Sequence, residues 1–95
     1  MPKPIHRPEY RAVRGLLREL RVAAGMKQSE LSALLGKPQP YVSSIETGQR
    51  RVDLVEIRDI CTALGTTLPA FTRKLEIRLR EPDKTGQRPK RTRVG

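Results

Sequence analysis

Apolar residues recur at helical spacing in five stretches of the chain, separated by glycines and prolines. Tyr10, Val13, Leu17, Leu20 and Ala24 mark the first, and Gly25 stands where a left-handed residue closes a helix. Leu31, Leu34 and Leu35 mark a second, short helix over 28–35, ended by Gly36. Val42 and Ile45 mark a third over 39–47, with Pro38 and Pro40 at its start and Gly48 as its stop. Asp53 is an N-cap, with Glu56 three residues on as the return half of a capping box. Leu54, Ile57, Ile60, Cys61 and Leu64 then form the apolar face of a fourth helix, closed by Gly65. Thr67 caps a fifth, with Pro69 in its first turn and Leu68, Phe71, Leu75 and Leu79 as its stripe.

The pattern predicts one domain over residues 9–81, an all-α compact bundle of five helices. Two short helices joined by Gly36-Lys37-Pro38 predict a helix-turn-helix pair within it. Residues 1–8 read as a flexible basic arm, because Pro2, Pro4 and Pro8 oppose a helix and Lys3 and Arg7 carry charge. Residues 82–95 have no apolar periodicity. Lys84, Arg88, Lys90, Arg91 and Arg93 stand there against Asp83 alone, so a disordered basic tail is expected.

Composition sharpens this picture. Aromatic residues make up only 3% of the 95, which suits helices packed through aliphatic side chains better than a sheet. Twenty Lys and Arg against ten Asp and Glu give a net charge of +10, which favours a polyanionic partner. Nucleic acid is the first candidate and an anionic membrane surface the second. The single cysteine, Cys61, excludes an intrachain disulfide and fits a reducing cytoplasm. No apolar run is long enough for a membrane helix or a signal peptide.

The stretch Gly25-Met26-Lys27-Gln28-Ser29-Glu30-Leu31-Ser32, followed by Leu35-Gly36-Lys37-Pro38-Gln39-Pro40-Tyr41-Val42-Ser43-Ser44-Ile45-Glu46-Thr47-Gly48, resembles the Cro/repressor-type helix-turn-helix family, also called the Xre family. The resemblance begins at Leu20-Arg21 and continues through Asp53-Leu54 and Ala63-Leu64-Gly65 into the fifth helix. It implies the lambda-repressor-like five-helix fold, with the third helix as recognition helix in the major groove of double-stranded DNA.

Phosphates attract such a protein and base edges select its site. The match of Gln28 to the family's glutamine implies a phosphate contact that fixes the docking angle, and Lys27 adds another. Since Val42 and Ile45 must face inward, Gln39, Pro40, Tyr41, Ser43 and Ser44 are left for the outer side of helix 3. Gln39 and Ser44 match positions that touch base edges, and a glutamine amide pairs with adenine through two hydrogen bonds. Tyr41 has three readings: a thymine-methyl contact, a phosphate contact, or partial burial. Pro40 has no polar group, so readout there is apolar or absent. Ser43 serves the DNA backbone, as do Arg50 and Arg51 in the following loop. Glu46 resembles the acidic residue that pairs across the fold with an arginine late in helix 1, here Arg21, as a structural ion pair. Two departures from the family pattern stand out. Lys27 replaces the usual Ser or Thr, so helix 2 loses its side-chain N-cap. Ser32 stands where a small Ala is common.

Nothing in the sequence is catalytic. His6, the only histidine, lies in the arm, Cys61 fits a helix's apolar face, and no glycine-rich phosphate loop follows a strand. No cofactor and no metal are expected. The function expected is that of a small cytoplasmic, nucleoid-associated regulator of bacterial or phage type. It would be a homodimeric repressor reading a palindrome, with Leu75, Ile77 and Leu79 as its dimer surface. The alternative is an antitoxin or adaptor whose main partner is a protein such as a toxin. RNA binding ranks below both, since few aromatics are present to stack on bases.

Overall fold

The computed structural model describes residues 7–81. The expected arm up to His6 and the expected tail from Pro82 onward lie outside the described residues. Five helices follow in order: α1 (Pro8–Ala23), α2 (Gln28–Leu34), α3 (Tyr41–Thr47), α4 (Leu54–Ala63) and α5 (Leu68–Arg80). α1 packs on α3 and α5, α2 packs on α3 and α4, and α4 packs on α5. The all-α bundle expected from periodicity is the observed fold.

Each helix contributes few residues to one core. Leu16 and Leu17 come from α1, Leu31 from α2, Tyr41, Val42 and Ile45 from α3, Ile60 and Cys61 from α4, and Phe71 from α5. Fully burying an aliphatic or aromatic side chain contributes roughly 1.5–3 kcal/mol. Phe71, 1% exposed, is the largest of the fully buried side chains. α4 and α5 begin on real caps. The Glu56 backbone N–H donates to Asp53 Oδ1 at 2.8 Å, the Asp53 N–H donates to Glu56 Oε1 at 2.9 Å, and the Ala70 N–H donates to Thr67 Oγ1 at 3.2 Å.

Several expectations need correction. Pro8 does not lie in an arm: it opens α1, where proline's missing N–H would have no helical partner anyway. α3 starts at Tyr41 rather than residue 39, because Gln39 and Pro40 form the turn before it. Leu34 and Leu54, expected on apolar faces, are 59% and 61% exposed. α2 has only seven residues and reaches the core through Leu31, while Leu54 is the first residue of α4, whose buried residues, Ile60 and Cys61, lie nearly two turns further on.

Candidate nucleic-acid interface

The turn from α2 into α3 carries the candidate interface. It is held from behind by a buried polar cluster. Arg21, at the end of α1, donates from Nε to Glu46 Oε2 at 2.7 Å and from its terminal nitrogen to Glu46 Oε1 at 3.1 Å. Its other nitrogen donates to the Met26 carbonyl at 2.6 Å. The side chains of Arg21 and Glu46 are 9% and 4% exposed, so the pair is desolvated and two-pronged. Gln28 Nε2 donates to Glu46 Oε1 at 2.9 Å. One carboxylate therefore ties together α1, the start of α2 and the end of α3. The structure places the sequence-inferred pair Arg21 and Glu46 in contact, and adds Gln28 to it.

Gln28 faces two ways. Its amide nitrogen has a second hydrogen beyond the one given to Glu46, and the side chain is only half-buried. Lys27, just before it, is exposed. No Lys27 side-chain group caps α2. Instead the Lys27 backbone N–H donates to Glu30 Oε1 at 2.8 Å, so half of a capping box remains where the first half is missing.

At the start of α3, Gln39 and Pro40 are exposed, and Ser43 and Ser44 are half-buried. Ser43 donates from Oγ to the Pro40 carbonyl at 3.1 Å. The Ser44 carbonyl accepts the backbone N–H groups of Gln49 and Arg50 at 2.9 and 3.1 Å, which closes the end of the helix. Gly48 has φ of 84°, and a Cβ built on it would lie 3.0 Å from Arg14 Cζ. A side chain there would meet backbone strain, and the Arg14 guanidinium would have to shift by a few tenths of an ångström to admit it.

Tyr41 departs from the outward placement. It is 9% exposed and belongs to the core. The Lys37 ammonium lies 5.4 Å from its ring centroid and the Arg50 guanidinium 4.9 Å, both within cation–π range. Burial pushes its phenol above the ordinary tyrosine value, and the carboxylate of Glu56 adds to this. A ring so enclosed packs as part of the turn rather than lying free on the outer side of α3. The sequence left this reading open beside the two DNA contacts. It could not choose, because the cations that cover Tyr41 come from the two flanking loops.

Arg50 is also engaged. Its guanidinium donates to both Glu56 carboxylate oxygens at 3.3 and 3.0 Å and to the Arg51 carbonyl at 2.8 Å. That bonding to Glu56 raises the Arg50 pKa and holds Glu56 below the ordinary glutamate value. Arg50 thus joins the loop after α3 to the cap of α4, and its freedom to reach a phosphate is reduced. Arg51 is exposed, with its guanidinium 5.9 Å from the Tyr10 ring centroid.

The three residues expected at a dimer surface do not form one face. Leu75 is partly buried against the chain's own core, while Ile77 is 56% exposed and Leu79 38% exposed. Residues two apart on a helix point about 200° away from each other, so Ile77 faces away from the Leu75 and Leu79 side. Leu54 and Val55 are exposed on α4 as well.

One residue was missed outright as a functional candidate. Ser32 is fully buried, and its hydroxyl links α2 to the turn before α3. The signal was there, since a hydroxyl stood at an apolar position of a short helix. Its partners became visible only when the turn folded over it. Cys61 is fully buried, and burial raises its thiol pKa, which keeps it protonated and inert. Among the described residues no group of His, Cys, Asp and Glu is placed to hold a metal ion. Nor is any described helix long and apolar enough to cross a membrane.

A five-helix bundle presenting the start of its third helix beside the start of its second is the architecture of helix-turn-helix DNA-binding proteins. A family profile described as Helix-turn-helix matches residues 17–71. The chain belongs to this family, in its XRE branch. The structure is similar to an XRE-family like protein from Pseudomonas syringae pv. tomato str. DC3000, with 46% identity and a TM-score of 0.72 over 78% of this chain and 90% of that one. It is also similar to the restriction-modification controller protein C.AhdI from Aeromonas hydrophila, with 40% identity and a TM-score of 0.58 over 63% of this chain and 91% of that one. The controller protein C.Esp1396I, solved as a tetramer in complex with its natural 35 base-pair operator, shares the fold at 20% identity, with a TM-score of 0.72 over 80% of this chain and 100% of that one. No curated protein matches the chain. The chain is a DNA-binding transcription regulator by family.

Proposed function

We propose that the protein is a sequence-specific repressor that binds a palindromic site in double-stranded DNA as a homodimer. The observation that carries this is the exposed edge formed by Gln39 and Pro40 at the start of α3, backed by the buried Arg21–Glu46–Gln28 cluster. An edge fixed from behind in this way can enter a major groove at one angle. Gln39 and Ser44 then read base edges, with Pro40 making apolar contact. Tyr41 has no part in the readout. Gln28, through its remaining amide hydrogen, binds phosphate together with Lys27, Ser43 and Arg51. Arg50 serves mainly to hold the loop. The similarity at 40% identity to a restriction-modification controller protein supports a regulatory role.

One small domain makes too few contacts for tight specific binding, which favours a pair with half-sites about 34 Å apart. Ile77, more than half exposed on α5, supplies apolar surface for such a pair.

The test compares binding to the gene's own upstream DNA and to a scrambled duplex of equal length at two salt concentrations. Preference for the upstream DNA that survives the higher salt is expected, and Gln39→Ala should relax it. Equal binding to both, collapsing together as salt rises, would mean that the +10 charge alone attracts DNA. The sequence-reading role would then fall. A protein partner such as a toxin would become the reading to pursue.

A further inference from the structure

We infer that Ser32 is a positioning residue for sequence readout: its buried hydroxyl supplies from α2 the N-terminal cap that α3 lacks, and so fixes where Gln39 points. The inference rests on the reading of Gln39 as a base contact.

The helix α3 begins without a cap of its own. Its N-cap residue is Pro40, and no side chain there bonds a helical N–H. Pro38, two residues earlier, has no hydroxyl to offer either. The first turn of a helix leaves backbone N–H groups without helical acceptors, and a buried one without a partner is costly. The Tyr41 N–H is satisfied by the Pro38 carbonyl at 3.0 Å. The Val42 N–H lies in the core, and its partner is Ser32 Oγ at 3.1 Å, ten residues earlier on the neighbouring helix.

The same hydroxyl has a second bond. Ser32 Oγ donates its proton to the Gln39 carbonyl at 3.2 Å. One oxygen therefore accepts from the second residue of α3 and donates to the residue just before its N-cap. Ser32 is 0% exposed, so neither bond competes with water. The Lys37 N–H also donates to the Ser32 carbonyl at 2.9 Å, which anchors the near side of the same turn. Residue 32 thus grips the turn through both its backbone and its side chain. Gln39 has its backbone held at its carbonyl while its side chain is exposed. An alanine at position 32 would leave the packing almost unchanged but free both the Val42 N–H and the Gln39 carbonyl.

The test is Ser32→Ala, with two readouts and one control. The first readout is amide hydrogen exchange in the free protein, where the Val42 amide should lose protection roughly tenfold more than that of Ile45. The second is the ratio of upstream to scrambled DNA binding. It should fall by roughly tenfold, while scrambled-DNA binding and its salt slope stay as in the wild type. The control is Cys61→Ala, a core truncation on α4 that lowers stability without touching the turn.

If Cys61→Ala lowers the binding ratio as much as Ser32→Ala does, the effect is one of general stability and the inference is overturned. It is also overturned if Ser32→Ala leaves the Val42 amide as protected as before. If the exchange result holds but the wild type shows no preference for upstream DNA, the repressor reading has failed and the cap has not. If the wild type discriminates and Ser32→Ala discriminates equally well, the link from Ser32 to readout is refuted.

Discussion

Glu46 shows how much one side chain can decide. Three hydrogen bonds from Arg21 and Gln28 converge on its carboxylate inside the protein. Removing one partner strands the other charge, so Glu46→Ala should cost about 3–5 kcal/mol in urea unfolding. Replacing both, as Arg21→Met with Glu46→Leu, should cost far less, because no buried charge is then left unpaired. A loss below about 1 kcal/mol for the single variant would show that the pair behaves like a surface bridge. Gly48 gives a second residue-level prediction. Its φ of 84° and the 3.0 Å approach to Arg14 act together against a side chain. Gly48→Ala should cost about 1–2 kcal/mol from backbone strain alone. For a domain of this size that lowers Tm by about 4–8 °C per kcal/mol. Gly48→Ala that melts with the wild type would refute both the strain and the crowding.

At the scale of elements, the caps decide where helices start. Asp53→Ala removes the acceptor for the Glu56 N–H and should cost about 0.5–2 kcal/mol. Glu56 adds a pH dependence. The side-chain bond from Arg50, and then the Asp53 backbone N–H, hold its carboxyl below the ordinary value of 4.5. The unfolded chain therefore takes up this proton first as pH falls. The stabilisation is complete above pH 4.5 and is lost as pH drops through the lowered folded-state value. Glu56→Gln should thus be less stable than the wild type at neutral pH, with the gap closing in acid. Urea midpoints measured at neutral pH and at about pH 3 check this. A gap independent of pH would mean that ionisation of Glu56 contributes nothing. The element scale also explains Tyr41. Helical periodicity in a seven-residue helix leaves much of its circumference undecided, and the loops on either side, through Lys37 and Arg50, completed the burial.

For the whole molecule, charge and apolar surface set the two remaining predictions. Arg51 is exposed beside the candidate interface, so Arg51→Ala should weaken binding to all duplexes alike and reduce the salt slope by about 1. An unchanged slope would remove Arg51 from the phosphate contacts. Ile77 is more than half exposed on α5. If the pair forms through it, Ile77→Lys should shift sedimentation from dimer to monomer at micromolar concentration while leaving the fold intact. A wild-type chain that sediments as a monomer, both free and on DNA, would refute the dimer itself.

The sequence determined the number of helices, their order and the caps at Asp53 and Thr67 directly, and the placement of Arg21 against Glu46 through the family resemblance. The first three follow from local rules: apolar spacing, glycine stops and side chains that bond their own neighbouring amides. The ion pair was legible only through the family resemblance, because its partners stand 25 positions apart. Tertiary structure alone decided which apolar residues stayed outside. On paper Leu34 and Leu54 fit the apolar faces of their helices and Ile77 a dimer surface, and the packing of neighbouring helices left all three exposed. It also decided the fate of the polar groups. Arg50 turned to Glu56, Gln28 turned to Glu46, and Ser32 closed on Val42 and Gln39. Periodicity tells which side chains avoid water, but a hydrogen bond needs an atom within about 3 Å, and for these groups only the assembled bundle supplies it.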